Sequence, residues 1–264
     1  QDNYKKISSR GITFIGPADG EQACGDVGPG RMVEPDNILN LIASSTKTGP
    51  LSGKVITITA GPTREQIDPV RFISNNSSGK MGYALAEAAI ELGASVNLVS
   101  GPVSLNADKS INLHKVNSAS EMSESVNKFM KSSDIFIGCA AVSDFKPLDY
   151  SSIKIKKEDL VNPEIELEMN TDILSNVANT YKSSFVVGFA AETSDVANNA
   201  KKKLKTKNLD MIISNDVSDK SIGFDVDENE VNVITLNETI FLKKDKKIRI
   251  AREILKIIAK NTKN

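Results

Sequence analysis

Histidine and cysteine are almost missing from these 264 residues: His114 stands alone, and Cys24 and Cys139 are the only cysteines. That set cannot supply the four ligands of an ordinary structural zinc site. The cysteines lie far apart, each in a motif of intracellular character, so a disulfide framework is not expected and the chain reads as cytoplasmic. A charge of one sign is missing too. The 33 Lys and Arg against 34 Asp and Glu leave a net charge of −1, so no global field draws the chain to nucleic acid or to an anionic membrane. No apolar run approaches the roughly 20 residues that span a bilayer. The opening Gln1-Asp-Asn-Tyr-Lys-Lys6 carries neither an initiator methionine nor a signal-peptide pattern, and a piece of a longer chain is the expectation. Chemistry must then run on lysine, arginine, aspartate, asparagine and backbone amides.

What is present reads as an ordinary globular chain with core enough for one large or two modest domains. Residues 1–45 differ from the rest. Gly11–Pro17 suggests a short strand and turn, Gly20–Met32 a glycine-rich loop, and Glu34–Ile42 a short helix. Residues 46–53 have linker composition, and 54–264 form the main domain. Apolar runs at Val55–Ala60, Ser95–Ser100, Ile135–Ala140, Phe185–Phe189 and Met211–Ser214 read as buried strands. Between the first two, Met81, Ala84, Leu85, Ala88, Ala89 and Leu92 recur at helical spacing, and Gly93 closes the helix. The pattern predicts an α/β fold: a Rossmann-like, doubly wound, mainly parallel sheet. A C-terminal hairpin around Leu236-Asn-Glu238 and a helix over 247–260, with Ile250, Ile254, Leu255 and Ile258 on one face, complete it.

The most informative stretch runs from Ile58 to Gly82. It leads from a strand, through a loop rich in glycine, serine, asparagine and arginine, into a helix. In open α/β folds ligands sit there, and these residue types suit an anion. Neither common phosphate fingerprint fits. The dinucleotide motif needs clustered glycines, whereas Gly61 is isolated and Gly79 and Gly82 come far later. The P-loop needs glycine where Ser74 stands and a hydroxyl where Met81 stands. Gly61, Ser77, Ser78, Gly79 and Lys80 remain a candidate phosphate or substrate loop, with a plain structural loop as the alternative.

Thr59-Ala-Gly-Pro-Thr-Arg-Glu65, Ser74-Asn-Asn-Ser-Ser-Gly-Lys-Met-Gly82 and Val99-Ser-Gly-Pro-Val103 resemble the phosphopantothenate–cysteine ligase half of the bacterial bifunctional coenzyme A biosynthesis protein. Gly138-Cys-Ala-Ala-Val-Ser-Asp144, Lys154-Ile-Lys-Lys157, Gly188-Phe-Ala-Ala-Glu-Thr193 and Asn215-Asp-Val-Ser218 match in the same order. Ala23–Met32 resembles the closing loop of that protein's flavin-dependent decarboxylase half, which makes residues 1–45 a remnant of that half. The resemblance implies a reaction: 4′-phosphopantothenate, CTP and cysteine give 4′-phosphopantothenoylcysteine, CMP and diphosphate through an acyl-cytidylate. It implies Mg²⁺ with the CTP, FMN only in the missing decarboxylase domain, and a homodimer with contacts in Ser151–Asn170 and the late hairpin.

The resemblance also distributes roles. Gly138, Cys139, Ala140 and Asp144 meet the cytidine nucleotide, although Asp144 could simply cap and Cys139 could simply fill the core. Lys154 meets the triphosphate from a flap; spacing alone reads it as an edge-strand lysine. Asn170, Thr171, Asp172 and Ile173 stand where the family commonly has Asn-Pro-Asp-Ile; losing the proline frees φ and restores a backbone donor. Phe189 covers base or ribose, or packs the core. Lys203 and Lys207 share a helix face toward the phosphates, or are merely solvated. Glu192 is a metal or ribose candidate. Asn75 processes the acyl-cytidylate, or forms a turn. Cys24 resembles the decarboxylase proton donor but lacks its partners here, so decarboxylation is not expected from this chain. Two rivals stay open: an NAD(P)-binding oxidoreductase and a non-catalytic nucleotide-binding module.

Overall fold

A computed structural model describes residues 2–10, 12, 14–21, 27–35, 37–38, 49–156, 164–192, 196–216 and 226–262. They form two compact units, Gln1–Thr48 and Gly49–Asn264. In the first, helix α1 (Asp2–Ser8) precedes an antiparallel pair, β1 (Ala18–Glu21) and β2 (Val27–Arg31). The glycine-rich run read as loop alone thus carries paired strands at its ends. Two strands have only edges, where Pro29 withholds no hydrogen bond that a central ladder would need. Ile12 and Phe14–Pro17 are not strand, whereas Pro35, Asn37 and Ile38 are helical. Cys24 lies outside the described residues.

The second unit is built on an eight-stranded sheet. Its parallel strands are β3 (Val55–Ala60), β6 (Ser95–Ser100), β7 (Asn112–Lys115), β8 (Ile135–Gly138), β11 (Phe185–Glu192) and β12 (Met211–Asp216). The antiparallel β13 (Glu228–Ile234) and β14 (Thr239–Lys246) extend it as the expected hairpin. The order is β14-β13-β12-β11-β8-β3-β6-β7. Counting parallel strands from β3, this is the doubly wound order 3-2-1-4-5-6, in which the chain reverses direction between β3 and β8.

Alternation within the strands explains the two-sided cover. Ile56, Ile58, Ile135, Ile137, Met211 and Ile213 face helices α2 (Lys80–Glu91) and α6 (Lys247–Asn261). Phe136, Val186, Ala190 and Ile212 face α3 (Ala119–Met130), α4 (Ile173–Thr180) and α5 (Val196–Thr206). The sequence reading had not set out α3, although Ser118 and Glu121 mark its start. The Ser118 hydroxyl accepts from the Glu121 amide at 3.2 Å, and the Glu121 carboxylate accepts from the Asn117 amide at 2.7 Å. The strand β7 was also missed, because on an edge its Asn112, His114 and Lys115 stay exposed.

Two small ribbons lie outside the sheet: β4 (Arg64–Gln66) with β5 (Phe72–Ser74), and β9 (Phe145–Pro147) with β10 (Leu167–Met169). Asp68, fully buried, clasps the turn between β4 and β5. Its carboxylate accepts from the amides of Val70 and Arg71 at 2.8 Å each and from the Arg71 guanidinium at 2.5 and 3.0 Å. It also accepts from the amide of Ile155 at 3.2 Å, tying in the segment that carries Lys154. The Arg71 hydrogen bond, with those backbone donors, holds the Asp68 carboxyl far below the usual carboxylate range.

Two predictions follow from this packing. Ile254, fully buried on α6, when changed to Ala should cost about 2–5 kcal/mol in a denaturant titration; a loss under about 0.5 kcal/mol would contradict the core described. Because the Asp68 pKa is depressed on folding, its contribution is present above the ordinary value of about 3.9 and lost only as pH falls toward the folded value. Exchange protection at the Ile155 amide should therefore be flat from pH 7 to 5 in the wild type and reduced at both by Asp68→Asn. Unchanged protection in that variant would remove the clasp from the account.

Candidate functional site

The strand β3 is followed by Gly61 and α2 is preceded by Gly79; both glycines take the left-handed conformation, at φ +73° and +77°. Any Cβ on either would come within 2.9 Å of Val103, so the three family motifs that supply these residues meet at one point. Gly82 is the close-approach position: a Cβ there would fall 2.5 Å from that of Ala60. This contact brings the amino end of α2 down onto the carboxyl end of β3. The helix has no acidic residue in its first turn, and Gly79 offers no capping side chain. Its leading amides have no acceptor within the helix and lie at the positive end of the helix dipole.

These amides open on a solvent-open cleft lined by residues 77–82, 139–141, Phe189, Asn215, Asn229 and Lys247. It gathers Ser77, Ser78, Gly79, Lys80, Cys139, Ala140 and Phe189 from the sequence candidates, with Gly61 directly beneath Gly79. The Ser77 hydroxyl accepts from the Gly79 amide at 3.3 Å. Lys80 Nζ lies 2.8 Å from Asp227, whose carboxyl is lowered first by that hydrogen bond. Burial pushes the Cys139 thiol up to about 12, so it stays neutral near pH 7 and forms wall rather than nucleophile. Phe189 is half-buried, packing on the core while also facing the cleft.

The remaining nucleotide candidates gather on the other face of the sheet. Asp172 caps α4, accepting from the Ser175 amide at 3.0 Å and the Ser175 hydroxyl at 2.8 Å, and pairs with Lys207 at 2.8 Å. Burial raises its pKa, but the bonds from Lys207 and Ser175 outweigh that and leave it lowered. The Asn170 side chain donates to the Ser143 carbonyl at 2.9 Å, and its amide donates to the Asp144 carbonyl at 2.8 Å. The side chains of Asp144, Thr171 and Lys203 are exposed. Ile173 is in the core, so only its backbone could meet a ligand. Gly138 ends β8 between the two groups and lies against Leu174 of α4.

Asn75 donates through Nδ2 to the Val142 carbonyl at 2.9 Å, which holds its amide beside the turn after β8. Lys154 is exposed and, through neighbouring Ile155, tethered to Asp68 rather than to the cleft. Glu192 ends β11, in register with Asp216 of β12. Among the described residues no cluster of three or more His, Cys, Asp or Glu could hold a metal, and no helix is long and apolar enough to cross a membrane.

The sequence reading missed Met81, Asn229 and Lys247 as cleft residues and left Asn215 as a motif without a role. Asn215 was findable, since it stands at the carboxyl end of an apolar strand. Lys247 sits at the start of the amphipathic C-terminal helix, and only the antiparallel return through β13 and β14 brings it to the cleft.

Comparison with known proteins agrees with this geometry. The family described as the DNA/pantothenate metabolism flavoprotein C-terminal domain matches residues 51–262. A Vibrio vulnificus protein named coenzyme A biosynthesis bifunctional protein CoaBC is 48% identical over 98% of this chain and 65% of its own length. A Bacillus subtilis protein of the same name is 48% identical over 88% of this chain and 58% of its length. The chain thus spans less than two thirds of these curated relatives. A crystal structure titled as the C-terminal domain of CoaBC is 42% identical, with a TM-score of 0.69, over 81% of this chain and 97% of that one. A Streptococcus pneumoniae structure of the same family name, 21% identical at TM-score 0.68, shares the fold. The chain belongs to the DNA/pantothenate metabolism flavoprotein C-terminal domain family.

Proposed function

We propose that this chain ligates 4′-phosphopantothenate to cysteine at the expense of CTP, in coenzyme A biosynthesis. One observation carries the reading: the amino end of α2 and Lys80 share a cleft with the half-buried ring of Phe189. A polyphosphate with an attached base or ribose needs that combination of fixed positive dipole, mobile cation and flat apolar wall. The names of the relatives point to the same pathway.

The chemistry is a two-step acyl activation. A carboxylate oxygen of phosphopantothenate attacks the α-phosphorus of CTP; the bond to the β-phosphate oxygen breaks and diphosphate leaves with its electrons. The amine of cysteine then attacks the acyl carbon, loses a proton to solvent, and CMP departs. The helix amides and Lys80 offset charge along the phosphates, and Lys154, swinging from its Asp68 tether, meets the departing diphosphate. Mg²⁺ would ride on the triphosphate and water, as it does where no protein cage is built for it, and would neutralise the leaving group. Asn75, held beside the turn after β8, presents its amide to the acyl carbonyl as negative charge develops. Asp144 and Asn170–Ile173 take the cytidine where the nucleotide crosses the sheet edge at Gly138, and Lys203 and Lys207 face its phosphates. Flavin chemistry would belong to a preceding domain rather than to these residues.

A homodimer fits the same picture. Phe72, Phe145, Leu167 and Met169 on the adjacent ribbons β4–β5 and β9–β10, with Leu148 and Tyr150 just past β9, are all at least 42% exposed. An apolar patch of that kind marks an association surface, and it overlaps the Ser151–Asn170 stretch expected to carry the contact.

Three outcomes test this. Incubated with phosphopantothenate, Mg²⁺ and CTP, the protein should form an acyl-cytidylate by mass spectrometry, converted to phosphopantothenoylcysteine and CMP when cysteine is added. Folded protein that releases neither cytidylate nor diphosphate would sink the ligase reading. Asn75→Ala should let the cytidylate accumulate while slowing its conversion by about 10²–10³. Leu167→Arg combined with Met169→Arg should halve the mass seen by light scattering; an unchanged mass would move the interface elsewhere.

A further inference from the structure

Lys247 is the one lysine buried to 6% exposure among the described residues, and it lines the same cleft as Lys80 and Phe189. Its Nζ donates to the Val226 carbonyl at 2.5 Å, a bond that fixes the ammonium in place. Its own amide donates to the Asp227 carbonyl at 2.9 Å. The field of this ammonium is felt on both sides: it lowers the carboxyl of Asp227 and partly offsets the rise of the Cys139 thiol.

Its place in α6 runs against local preference. Lys247 is the first helical residue of α6, as Lys80 is of α2. A cation at that end opposes the helix dipole, and neither helix has an acidic first turn or a capping side chain. Burying an ammonium adds a desolvation cost. Two helix amino ends and two lysines therefore converge on one slot. Two lysines at the amino ends of two helices that meet in one cleft suit a ligand's negative charge.

Resting on the ligase reading above, we propose that Lys247 is a substrate-binding residue that grips the triphosphate of the nucleotide from the floor of the cleft. Lys80 closes on it from the rim. The nucleotide, rather than phosphopantothenate, is the anion, because Cys139, Ala140 and Phe189, all nucleotide candidates, line the same walls. Lys80 can swing away from Asp227, whereas Lys247, anchored to Val226, supplies a preorganised charge.

The test compares Lys247→Met, which keeps the stem and removes the charge, with Lys247→Arg, which keeps the charge. Calorimetric titration with CTP, CMP and phosphopantothenate separates the anions. Lys247→Met should bind CTP more weakly by roughly tenfold to a hundredfold and lose part of the salt dependence, while CMP changes by less than about threefold. Lys247→Arg should recover much of the CTP affinity. Melting temperature, read alongside, should not fall in the Met variant, since replacing a buried charge by an apolar group of similar shape is commonly neutral or stabilising. Weakened phosphopantothenate with unchanged CTP would overturn the assignment, as would unchanged affinity for both. A wild type that binds no CTP would instead defeat the ligase reading on which this one rests.

Discussion

Everything at the site depends on one close approach, that of Gly82 to Ala60. With no Cβ at position 82, the first turn of α2 settles against the last residue of β3. The loop between them must then travel out and return through the left-handed turns at Gly61 and Gly79, which meet beneath Val103. From that contact come the placement of the leading helix amides, the reach of Lys80 and the depth of the cleft. A methyl group at position 82 would push the helix off the sheet and move all three together.

The polar residues in the recognised motifs divide their labour unequally. Many hold loops rather than ligands. Thr59 accepts from the Ala140 amide at 3.2 Å, Thr63 from the Ser143 amide at 3.0 Å, and Ser74 donates to the Thr63 carbonyl at 2.7 Å. Buried Glu65 accepts from the Ala119 amide at 3.0 Å and so satisfies a donor at the start of α3. Arg64 lies 4.6 Å over the ring of Phe72. Stretches that read as one anion-binding run are largely a scaffold of cross-loop bonds, which fixes the few groups left over for substrate.

The parallel core was legible in the sequence because central strands are apolar on both faces, and helices α2 and α6 because their stripes keep helical spacing. Strand ends were less so: β8 stops at Gly138, short of the expected Ala140, since there the backbone turns to form the cleft wall. The edge strand β7 and the small ribbons were missed, their residues carrying no burial pattern. Nor did the strand order decide function, for 3-2-1-4-5-6 also serves dinucleotide enzymes; the wide spacing of Gly61, Gly79 and Gly82 is what argues against them. For the site, local motifs sufficed for Ser77–Lys80 and Phe189. Lys247 comes from more than 150 residues away, and no local pattern announces a contact made through tertiary structure.

The candidates for the nucleotide lie on both faces of the sheet, joined at Gly138, and a ligand that uses all of them must cross its carboxyl edge. A crystal structure with a non-hydrolysable CTP analogue and Mg²⁺ tests this directly. The phosphate chain is expected within hydrogen-bond distance of the α2 amides and of Lys80, with the cytidine turned over the edge toward Asp172. An analogue bound wholly on one face, with the α2 amides left to water, would contradict it.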